Sequence, residues 1–419
     1  MSRSAGKIYN KDLRGEYMSL LNARPENFKK TFPDSKVLHV NGKHILKSTI
    51  KEGAHWVSMA VNTRHRIAIP GIVKASMELD APVFYELALS ESDMKGGYTR
   101  MDPFEFIRVV VEINEEMGNT GEKATPFTCH RDHTTVQKPT RAAFDKADEV
   151  IKRSIEAGYG SFSIDVSFLP MEQNIAISML LCEQVVKAGL MYESEVGEIG
   201  GKEGNSSVSE AVLLVEAMAK AGLTPDLIAI NNGTTHGNVR GNIDLALTRA
   251  TFQALKPWAV GIAQHGTTGT PIKEVGEFYK DGIFKANVGT NWQNVVWGIE
   301  VDDAGVALEK GPSYEKNPDQ GISIELWKKM EEYAIENNMK GGNMKKLNGP
   351  FKDAMYEEYK SNKKIRERVD EAVYNSAAQF FRALQAEKKG ADVRDILANL
   401  KPENSTGKKI AEGPEKEYE

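Results

Sequence analysis

The sequence predicts an α/β fold, a closed (β/α)8 or TIM barrel with an N-terminal lead-in and a C-terminal helical extension. Short apolar or β-branched runs alternate with segments of helical period over roughly 250 residues, the usual size of such a barrel. Ionisable or amide side chains follow successive predicted strands, where barrels carry their active sites. The first strand precedes Asn62-Thr63-Arg64-His65, which lacks the glycines typical of an open doubly wound sheet.

The predicted strands are short and each is bounded by polar or turn residues. In chain order they are Trp56–Val61, Pro82–Leu87, Thr125–Cys129, Ser161–Asp165, Leu190–Glu195, Leu227–Asn231, Ala259–Ala263 and Ile283–Val288. The clearest helices between them are Arg141–Ala157 and Ser209–Ala221, the second of which stops before a glycine. Beyond the barrel, Leu326–Glu336 and Met355–Leu384 are predicted to be helical, on either side of the glycine-containing stretch Lys340–Pro350.

Four segments are expected along the chain. Residues 1–50 form a lead-in with an amphipathic helix at Lys11–Leu21, and residues 51–300 form the catalytic barrel. Residues 301–400 are rich in Lys and Glu with apolar residues on one face, so we expect a helical extension packed on the barrel or on a second subunit. Residues 401–419 are polar without periodicity, and we expect them to be disordered.

The composition excludes several classes of function. A formal net charge of −5 gives no global basic field, so we expect no nucleic-acid partner. There is no run of about eighteen apolar residues, so we expect no membrane span. The two cysteines, Cys129 and Cys182, cannot form a disulfide framework, which makes the cytoplasm the expected location.

Four of the eight histidines lie at predicted strand ends. Three of them, His133, His236 and His265, follow different strands, and neutral imidazoles with a carboxylate suit Zn²⁺ with one position open to substrate. A single histidine is more often structural, but three at one rim favour a metal site. His130 alternates with Asp132 along the third strand, and its role stays open between a structural and a ligand-orienting one.

Two further patterns accompany the histidines. Gly266-Thr267-Thr268-Gly269 follows the seventh strand and Gly289-Thr290 the eighth, where barrels often bind phosphate through backbone amides and hydroxyls. Asp132 adjoins one histidine, and Glu203 lies in a glycine-rich loop that could close over substrate. Two such carboxylates suit proton transfer at two atoms. Taken alone, Glu203 is equally consistent with a charged loop residue that faces solvent.

In combination and order, these motifs resemble the class II, zinc-dependent fructose/tagatose-bisphosphate aldolases, from about Ala54 to Gly298. The matching motifs are Arg131-Asp132-His133, Ile164-Asp165-Val166-Ser167, Glu193-Ser194-Glu195 with Gly200-Gly201-Lys202-Glu203, Gly233-Thr234-Thr235-His236-Gly237, His265-Gly266-Thr267-Thr268-Gly269 and Lys285-Ala286-Asn287-Val288-Gly289-Thr290. The resemblance implies a lyase that reversibly cleaves a ketose bisphosphate, foremost fructose 1,6-bisphosphate, into dihydroxyacetone phosphate and glyceraldehyde 3-phosphate. It also implies a glycolytic role and a homo-oligomer, a dimer or larger.

The resemblance assigns roles residue by residue. It implies one catalytic Zn²⁺ on the three histidines named above, with Glu195 and Asp165 as alternative ligands, and leaves open a second metal or a monovalent cation. Asp132 would be the acid–base group at the hydroxyl oxygen, and Glu203 would exchange the proton on the substrate carbon. The implied substrate and phosphate contacts are Gly237, Gly266, Thr267, Thr268, Lys285, Asn287, Gly289 and Thr290.

Several departures keep other functions open. Glu86-Leu87-Ala88 stands where the family usually has Gln-x-Ser, and Gly289 stands where many fructose-bisphosphate enzymes have an acidic or amide residue. A tagatose bisphosphate or a sulfosugar phosphate is therefore an alternative substrate. Gly96-Gly97-Tyr98-Thr99 resembles a stretch of the non-catalytic partner subunit of tagatose-bisphosphate aldolases, which is a second alternative. A Schiff-base aldolase that uses Lys285 is a third.

Overall fold

The barrel is the centre of the structure, a computed structural model that describes residues 19–51, 53–198, 204–234 and 237–400. Eight parallel strands pair in chain order, and the first pairs with the last, which closes the barrel. The strands are β1 Ser58–Asn62, β2 Val83–Ala88, β3 Phe127–Thr135, β4 Ser161–Asp165, β5 Met191–Val196, β6 Leu227–Ile230, β7 Gly261–Gln264 and β8 Ile283–Val288. The predicted (β/α)8 barrel is therefore confirmed.

One strand is longer than predicted. β3 continues past Cys129 to Thr135, because Asp132 pairs with Ala88 of β2 and Thr135 pairs with Asp165 of β4. The expectation that this strand ends at Cys129 was wrong. The polar cluster after Cys129 is consequently held by backbone pairing inside the sheet rather than carried on a loop.

Helices surround the barrel and connect its strands. They are α1 Glu26–Thr31, α2 Gly42–Ile50, α3 Ile69–Leu79, α4 Pro103–Glu116, α5 Arg141–Ala157, α6 Met171–Lys187, α7 Val208–Lys220, α8 Leu245–Leu255, α9 Ile272–Val275 and α10 Thr290–Trp297. The bounds of α5 agree with the prediction, since the Thr140 hydroxyl caps its first turn and Gly158, with φ of 104°, ends it. A capping box between Ser207 and Glu210 begins α7 one residue earlier than predicted.

The lead-in covers the amino-terminal end of the barrel. Its backbone bonds to β3, since Val40 N–H donates to the Phe127 carbonyl at 2.8 Å. The buried His39 ring accepts a hydrogen bond from the Cys129 amide at 3.0 Å and stacks on Phe28. A 3-10 helix spans Leu20–Ala23, and most of the helix predicted at 11–21 lies outside the described residues.

The segment after the barrel contains a short hairpin, further helices and a 3-10 helix. These are β9 Glu309–Lys310, β10 Ser313–Tyr314, α11 Ile324–Glu336, the 3-10 helix Gly341–Asn348, α12 Lys352–Ser361, α13 Lys363–Ala383 and α14 Lys389–Ala398. Within the predicted helical region, the chain breaks at Asn362, whose side chain accepts hydrogen bonds from the first amides of α13. α13 packs along α3 and α14 along α2, so this segment lies against the barrel.

Two further expectations concern membrane-spanning helices and the tail of the chain. In the parts described, no helix combines the length and apolar character needed to cross a membrane. The tail at residues 401–419 lies outside the described residues.

Candidate active site

A cavity of about 210 Å³ opens at the carboxyl ends of the barrel strands. Most of its polar lining comes directly from strand ends or the turns after them. These residues include Asn62, Asp132, His133, Asp165, Glu195, His265 and Asn287. The polar cavity of this chain therefore lies at the rim where barrels carry their active sites.

Two consecutive residues of β3 face this cavity, although neighbouring residues of a strand normally point to opposite sides. A bulge makes this possible. Between Arg131 and Thr134, β3 advances three residues while its partner β4 advances two. His133 sits in the bulge with φ of +34°, a left-handed conformation that costs a non-glycine residue about 1–3 kcal/mol. The bulge thus places Asp132 and His133 side by side at the cavity.

The imidazole and carboxylate groups converge closely enough to share one metal ion. Ligand atoms of Asp132, His133 and His265 lie within 4.8 Å of one another, and so do those of His133, Asp165 and Glu195. The His133 and His265 ring centroids are 4.4 Å apart. The third predicted ligand, His236, lies outside the described residues.

The electrostatics of this cluster favour a cation. Burial opposes protonation of His133, but the charges of Asp132 and Glu195 outweigh it and raise the pKa of His133 well above its usual range. Burial likewise opposes ionisation of Asp132, yet the charges of His133 and His265 lower its pKa to about 2. Imidazoles with neighbouring carboxylates are a donor set that suits Zn²⁺.

Each histidine of the cluster is held by carboxylates. His133 Nδ1 lies 3.1 Å from Glu195 and 3.4 Å from Asp165. His265 Nε2 lies 3.3 Å from Glu193 of β5. A carboxylate on one ring nitrogen fixes the tautomer and directs the other nitrogen, as is usual for histidines that bind metals. Sequence analysis gave Glu193 no role of its own. Glu193 and Glu195 are nevertheless two residues apart on one strand, so both side chains point into the barrel.

Lys285 of β8 is fully buried below this cluster. Its ammonium lies 3.1 Å from Glu193 and 3.3 Å from Glu86. Burial alone would lower the pKa of Lys285, but these two carboxylates outweigh it and raise the pKa above its usual value. A Schiff base requires a neutral amine, so this environment disfavours the Schiff-base alternative.

Glu86, one of the departures named in the sequence analysis, also lies in this buried network. Burial and the charges of Asp132 and Glu193 raise the pKa of Glu86 well above its usual range. Lys285 therefore pairs mainly with the ionised Glu193, whose pKa is lowered well below its usual range despite burial.

Asn287 connects this network to Asp132. It accepts a hydrogen bond from the Lys285 ammonium at 2.9 Å and donates one to the Asp132 carboxylate at 3.2 Å. These two partners determine which way the amide points. The network thus fixes the position of the carboxylate that sequence analysis assigned to acid–base chemistry.

The structure also places His130, whose role was left open, and its neighbour Arg131. His130 Nδ1 lies 2.8 Å from the Ser161 hydroxyl and Nε2 lies 3.3 Å from Lys285, so its ring supports the buried network. Arg131 points away from the cavity, is fully buried and donates to the Ser92 carbonyl at 2.6 Å. In the described parts of the chain, no carboxylate lies within ion-pair distance of Arg131.

Most of the predicted phosphate contacts line the same cavity. They are Gly237, Gly266, Thr268, Asn287, Gly289 and Thr290. Thr267 is buried and does not line the cavity, and Lys285 lies beneath it. The Thr268 hydroxyl accepts a hydrogen bond from the Asn291 amide at 3.3 Å, which joins the loop after β7 to the start of α10.

Three charged residues of the cavity were missed by sequence analysis. Arg64 follows β1, Glu91 lies in the loop after β2, and Lys345 belongs to the 3-10 helix Gly341–Asn348. The position of Arg64 directly after a strand could have revealed it. Lys345 carries no such signal, because it reaches the cavity from outside the barrel. Glu203 lies outside the described residues.

Known proteins resemble this chain in sequence and in fold. The family model for class II fructose-bisphosphate aldolase matches residues 40–389. The fructose-bisphosphate aldolase of Streptococcus pneumoniae is 28% identical over 236 residues, which cover 55% of this chain and 73% of that protein. The fructose-bisphosphate aldolase of Staphylococcus aureus is 29% identical over 231 residues, which cover 53% of this chain and 71% of that protein.

Two solved structures share the fold. The fructose-bisphosphate aldolase of Campylobacter jejuni superposes with a TM-score of 0.55 at 16% identity, over 85% of this chain and 98% of that one. The YdjI aldolase of Escherichia coli K12 gives a TM-score of 0.52 at 15% identity, over 84% of this chain and 99% of that one.

Proposed function

Since the chain belongs to the class II fructose-bisphosphate aldolase family, a family of lyases, we propose that it reversibly cleaves a ketose bisphosphate. The foremost candidate is fructose 1,6-bisphosphate, with dihydroxyacetone phosphate and glyceraldehyde 3-phosphate as products. The observation that carries this proposal is the convergence of His133, His265 and three carboxylates in a cavity that also holds a glycine and threonine cup. We expect the enzyme to work in the cytoplasm as a homo-oligomer.

The cofactor of this proposal is Zn²⁺. His133, His236 and His265 would hold it, with Asp165 and Glu195 as carboxylates that orient His133 or replace a ligand. Bound there, zinc would supply Lewis-acid polarisation of the substrate ketone. The carboxylates around His133 support this assignment, because they already draw positive charge to the site.

Asp132 would act on the hydroxyl of the carbon that becomes the aldehyde. With its pKa near 2 it is ionised at neutral pH and can accept the proton of the C4 hydroxyl as the C3–C4 bond breaks. The electron pair of that bond passes to the three-carbon fragment. Asn287 holds Asp132 in place through its amide, and so keeps the base at a fixed distance from the substrate.

Glu203 would return a proton to C3 of the three-carbon fragment, which completes dihydroxyacetone phosphate. The cup formed by Gly266, Thr268 and Thr290 would bind the phosphate shared by substrate and product. Its hydroxyls and backbone amides are uncharged donors that fix the reacting carbons through remote binding energy.

The test is a cleavage assay on the purified protein with a dehydrogenase that consumes a triose product. We expect turnover of fructose 1,6-bisphosphate that is lost after EDTA dialysis and restored by Zn²⁺, with about one zinc per chain by elemental analysis. Parallel assays with tagatose 1,6-bisphosphate and a sulfosugar phosphate identify the preferred aldehyde. Turnover that survives EDTA, or a borohydride-trapped substrate adduct on Lys285, would contradict the zinc mechanism.

A non-catalytic partner subunit is the main rival. Such a subunit would be expected to lose part of the metal and acid–base set. The sequence retains Asp132, His133, Glu203, His236 and His265. Purified protein without metal and without turnover on any of these sugars would support the rival instead.

A further inference from the structure

A second cavity adjoins the active-site cavity. Its volume is about 220 Å³, close to the 210 Å³ of the active-site cavity, so it can hold a molecule of similar size. It lies between the turn after β1, the start of α4 and the part of the extension around α12, and no described residue of its lining belongs to a barrel strand. Of the described residues, Arg64 alone lines both cavities, and it therefore forms the partition between them.

Arg66 is a half-buried cation in the lining of this second cavity. Its Cζ atom lies 4.4 Å from the centre of the Tyr356 ring, so the guanidinium rests on an aromatic face. Among the residues that the structure describes, no carboxylate lies within ion-pair distance of Arg66, and no acceptor takes a hydrogen bond from its side chain. Lys352, a second cation of the lining, is already paired with Glu105. A guanidinium held in this way suits a carboxylate or a phosphate, which it binds through two parallel hydrogen bonds.

Uncharged polar groups line another part of the second cavity. The Oδ1 atom of Asn348 and the Nε2 atom of His65 are buried and have no hydrogen-bond partner within the described ranges of the chain. Burial, with a contribution from the charge of Arg64, lowers the pKa of His65 to about 3, so its ring is neutral at neutral pH. A buried polar atom without a partner destabilises the protein, and the hydroxyl group of a ligand can supply that partner.

One buried side chain connects the two cavities. The Oε1 atom of Gln293 accepts a hydrogen bond from the Asn348 amide at 3.1 Å and another from Arg64 Nη1 at 3.4 Å. Arg64 in turn donates through Nε to Glu91 at 2.8 Å, on the wall of the active-site cavity. A ligand that bonds to Asn348 changes the donors around Gln293, and through Gln293 it acts on the position of Arg64. Binding in one cavity is therefore coupled to binding in the other.

We propose that the second cavity binds a small hydroxylated anion, a sugar monophosphate or a hydroxycarboxylate, as an effector of the active site. The anionic group lies against Arg66, and the hydroxyl groups bond to Asn348 and His65. The described residues of this lining include no proposed metal ligand and no acid–base group, so the bound molecule is not a substrate of the reaction. The extension thus contributes a regulatory site to the barrel.

Equilibrium dialysis with radiolabelled glucose 6-phosphate and with radiolabelled malate tests the site. The wild type is expected to bind one molecule of at least one probe per chain, and Arg66→Met to bind it about 10- to 100-fold more weakly. Arg108→Met is the matched control, because Arg108 is an exposed arginine of α4 that does not line the second cavity, and it should bind the probe as the wild type does. The probe that binds more tightly identifies the anionic group. No binding of either probe at millimolar concentrations, or an unchanged affinity in Arg66→Met, would overturn the proposal.

The coupling is measured by repeating the dialysis at increasing concentrations of fructose 1,6-bisphosphate. Two coupled sites predict that the Kd of the probe changes by about 5-fold or more and then reaches a plateau. Competition for a single site would instead raise the Kd in proportion to the bisphosphate, and that result would overturn the second site.

Gln293→Leu separates the route of coupling from the site itself. This variant keeps the size of the buried side chain but removes its bonds to Asn348 and Arg64, so it should bind the probe with a Kd that no longer responds to the bisphosphate. A response equal to that of the wild type would overturn the route through Gln293. Because probe binding to the wild type and Arg66→Met is measured without turnover, the site is tested independently of the proposed aldolase function.

Discussion

At the scale of single residues, the site depends on a division of tasks between neighbours in the sequence. Asp132 and His133 both face the cavity, and each is stabilised by a different set of groups, Asn287 for one and Glu195 for the other. Sequence analysis named these residues from their types and strand positions. It did not reveal Glu193, because a buried carboxylate that orients a histidine looks like any inward strand residue until its partner is known.

Glu193→Gln is expected to weaken zinc binding by about 10- to 100-fold, because Gln retains the shape but not the charge that orients His265. The affinity is measured by competition with a chromophoric chelator. Glu149→Gln, at an exposed position, is the matched control. An unchanged zinc affinity in Glu193→Gln would show that Glu193 does not orient a ligand.

At the scale of elements, the order of strands and helices was predictable, whereas local irregularities were not. The bounds of β4, β8 and α5 follow from alternating or helical patterns bounded by polar residues. The bulge in β3 adds one residue without any change in composition, so nothing in the sequence separates it from regular strand. The docking of Gly341–Asn348 on the cavity was also hidden, because it depends on contacts far apart in the chain.

The contact between α3 and α13 gives a test at this scale. Gly71 lies in the interface, and a Cβ there would lie 2.7 Å from Val373 Cβ and 2.8 Å from the Asp370 carbonyl oxygen. Gly71→Ala is therefore expected to lower the free energy of unfolding by about 1–3 kcal/mol, despite the better helix propensity of Ala.

Denaturant unfolding followed by circular dichroism measures this change. Gly342→Ala is the control, since a Cβ at Gly342 meets no atom within 4 Å. Equal stability of the Gly71 and Gly342 variants would mean that α13 does not pack on α3 as closely as described.

At the scale of the whole molecule, the barrel is covered on both ends by chain segments that do not belong to it. The lead-in bonds to the amino-terminal end of β3 through Val40 and His39. The extension reaches the carboxyl end through Lys345. The closed barrel itself was predictable from its alternating pattern, but which segment covers which end was not, because neither contact is local in sequence.

The buried His39 gives the molecule a predictable acid sensitivity. Burial, with a contribution from the charge of Arg24, lowers the pKa of His39 to about 3, against 6.5 for an ordinary histidine. Between these values the unfolded chain binds the extra proton, so stability is present above pH 6.5 and is lost as the pH falls. This one group is expected to remove about 2 kcal/mol between pH 8 and pH 5.

The measurement is the free energy of unfolding as a function of pH. His39→Gln retains an acceptor for the Cys129 amide and should lose about 2 kcal/mol less than the wild type over the same range. His55→Gln, at an exposed histidine, should follow the wild-type curve. Parallel curves for all three proteins would contradict the assignment.

The position of Lys345 outside the barrel also has a consequence for protein synthesis. The barrel closes when β8 pairs with β1, so closure becomes possible once Val288 has left the ribosome. Lys345 leaves the ribosome later, after a delay of about 3 to 11 s at common elongation rates. The nascent chain can therefore assemble His133 and His265 in a closed barrel before it acquires the lysine that completes the cavity wall.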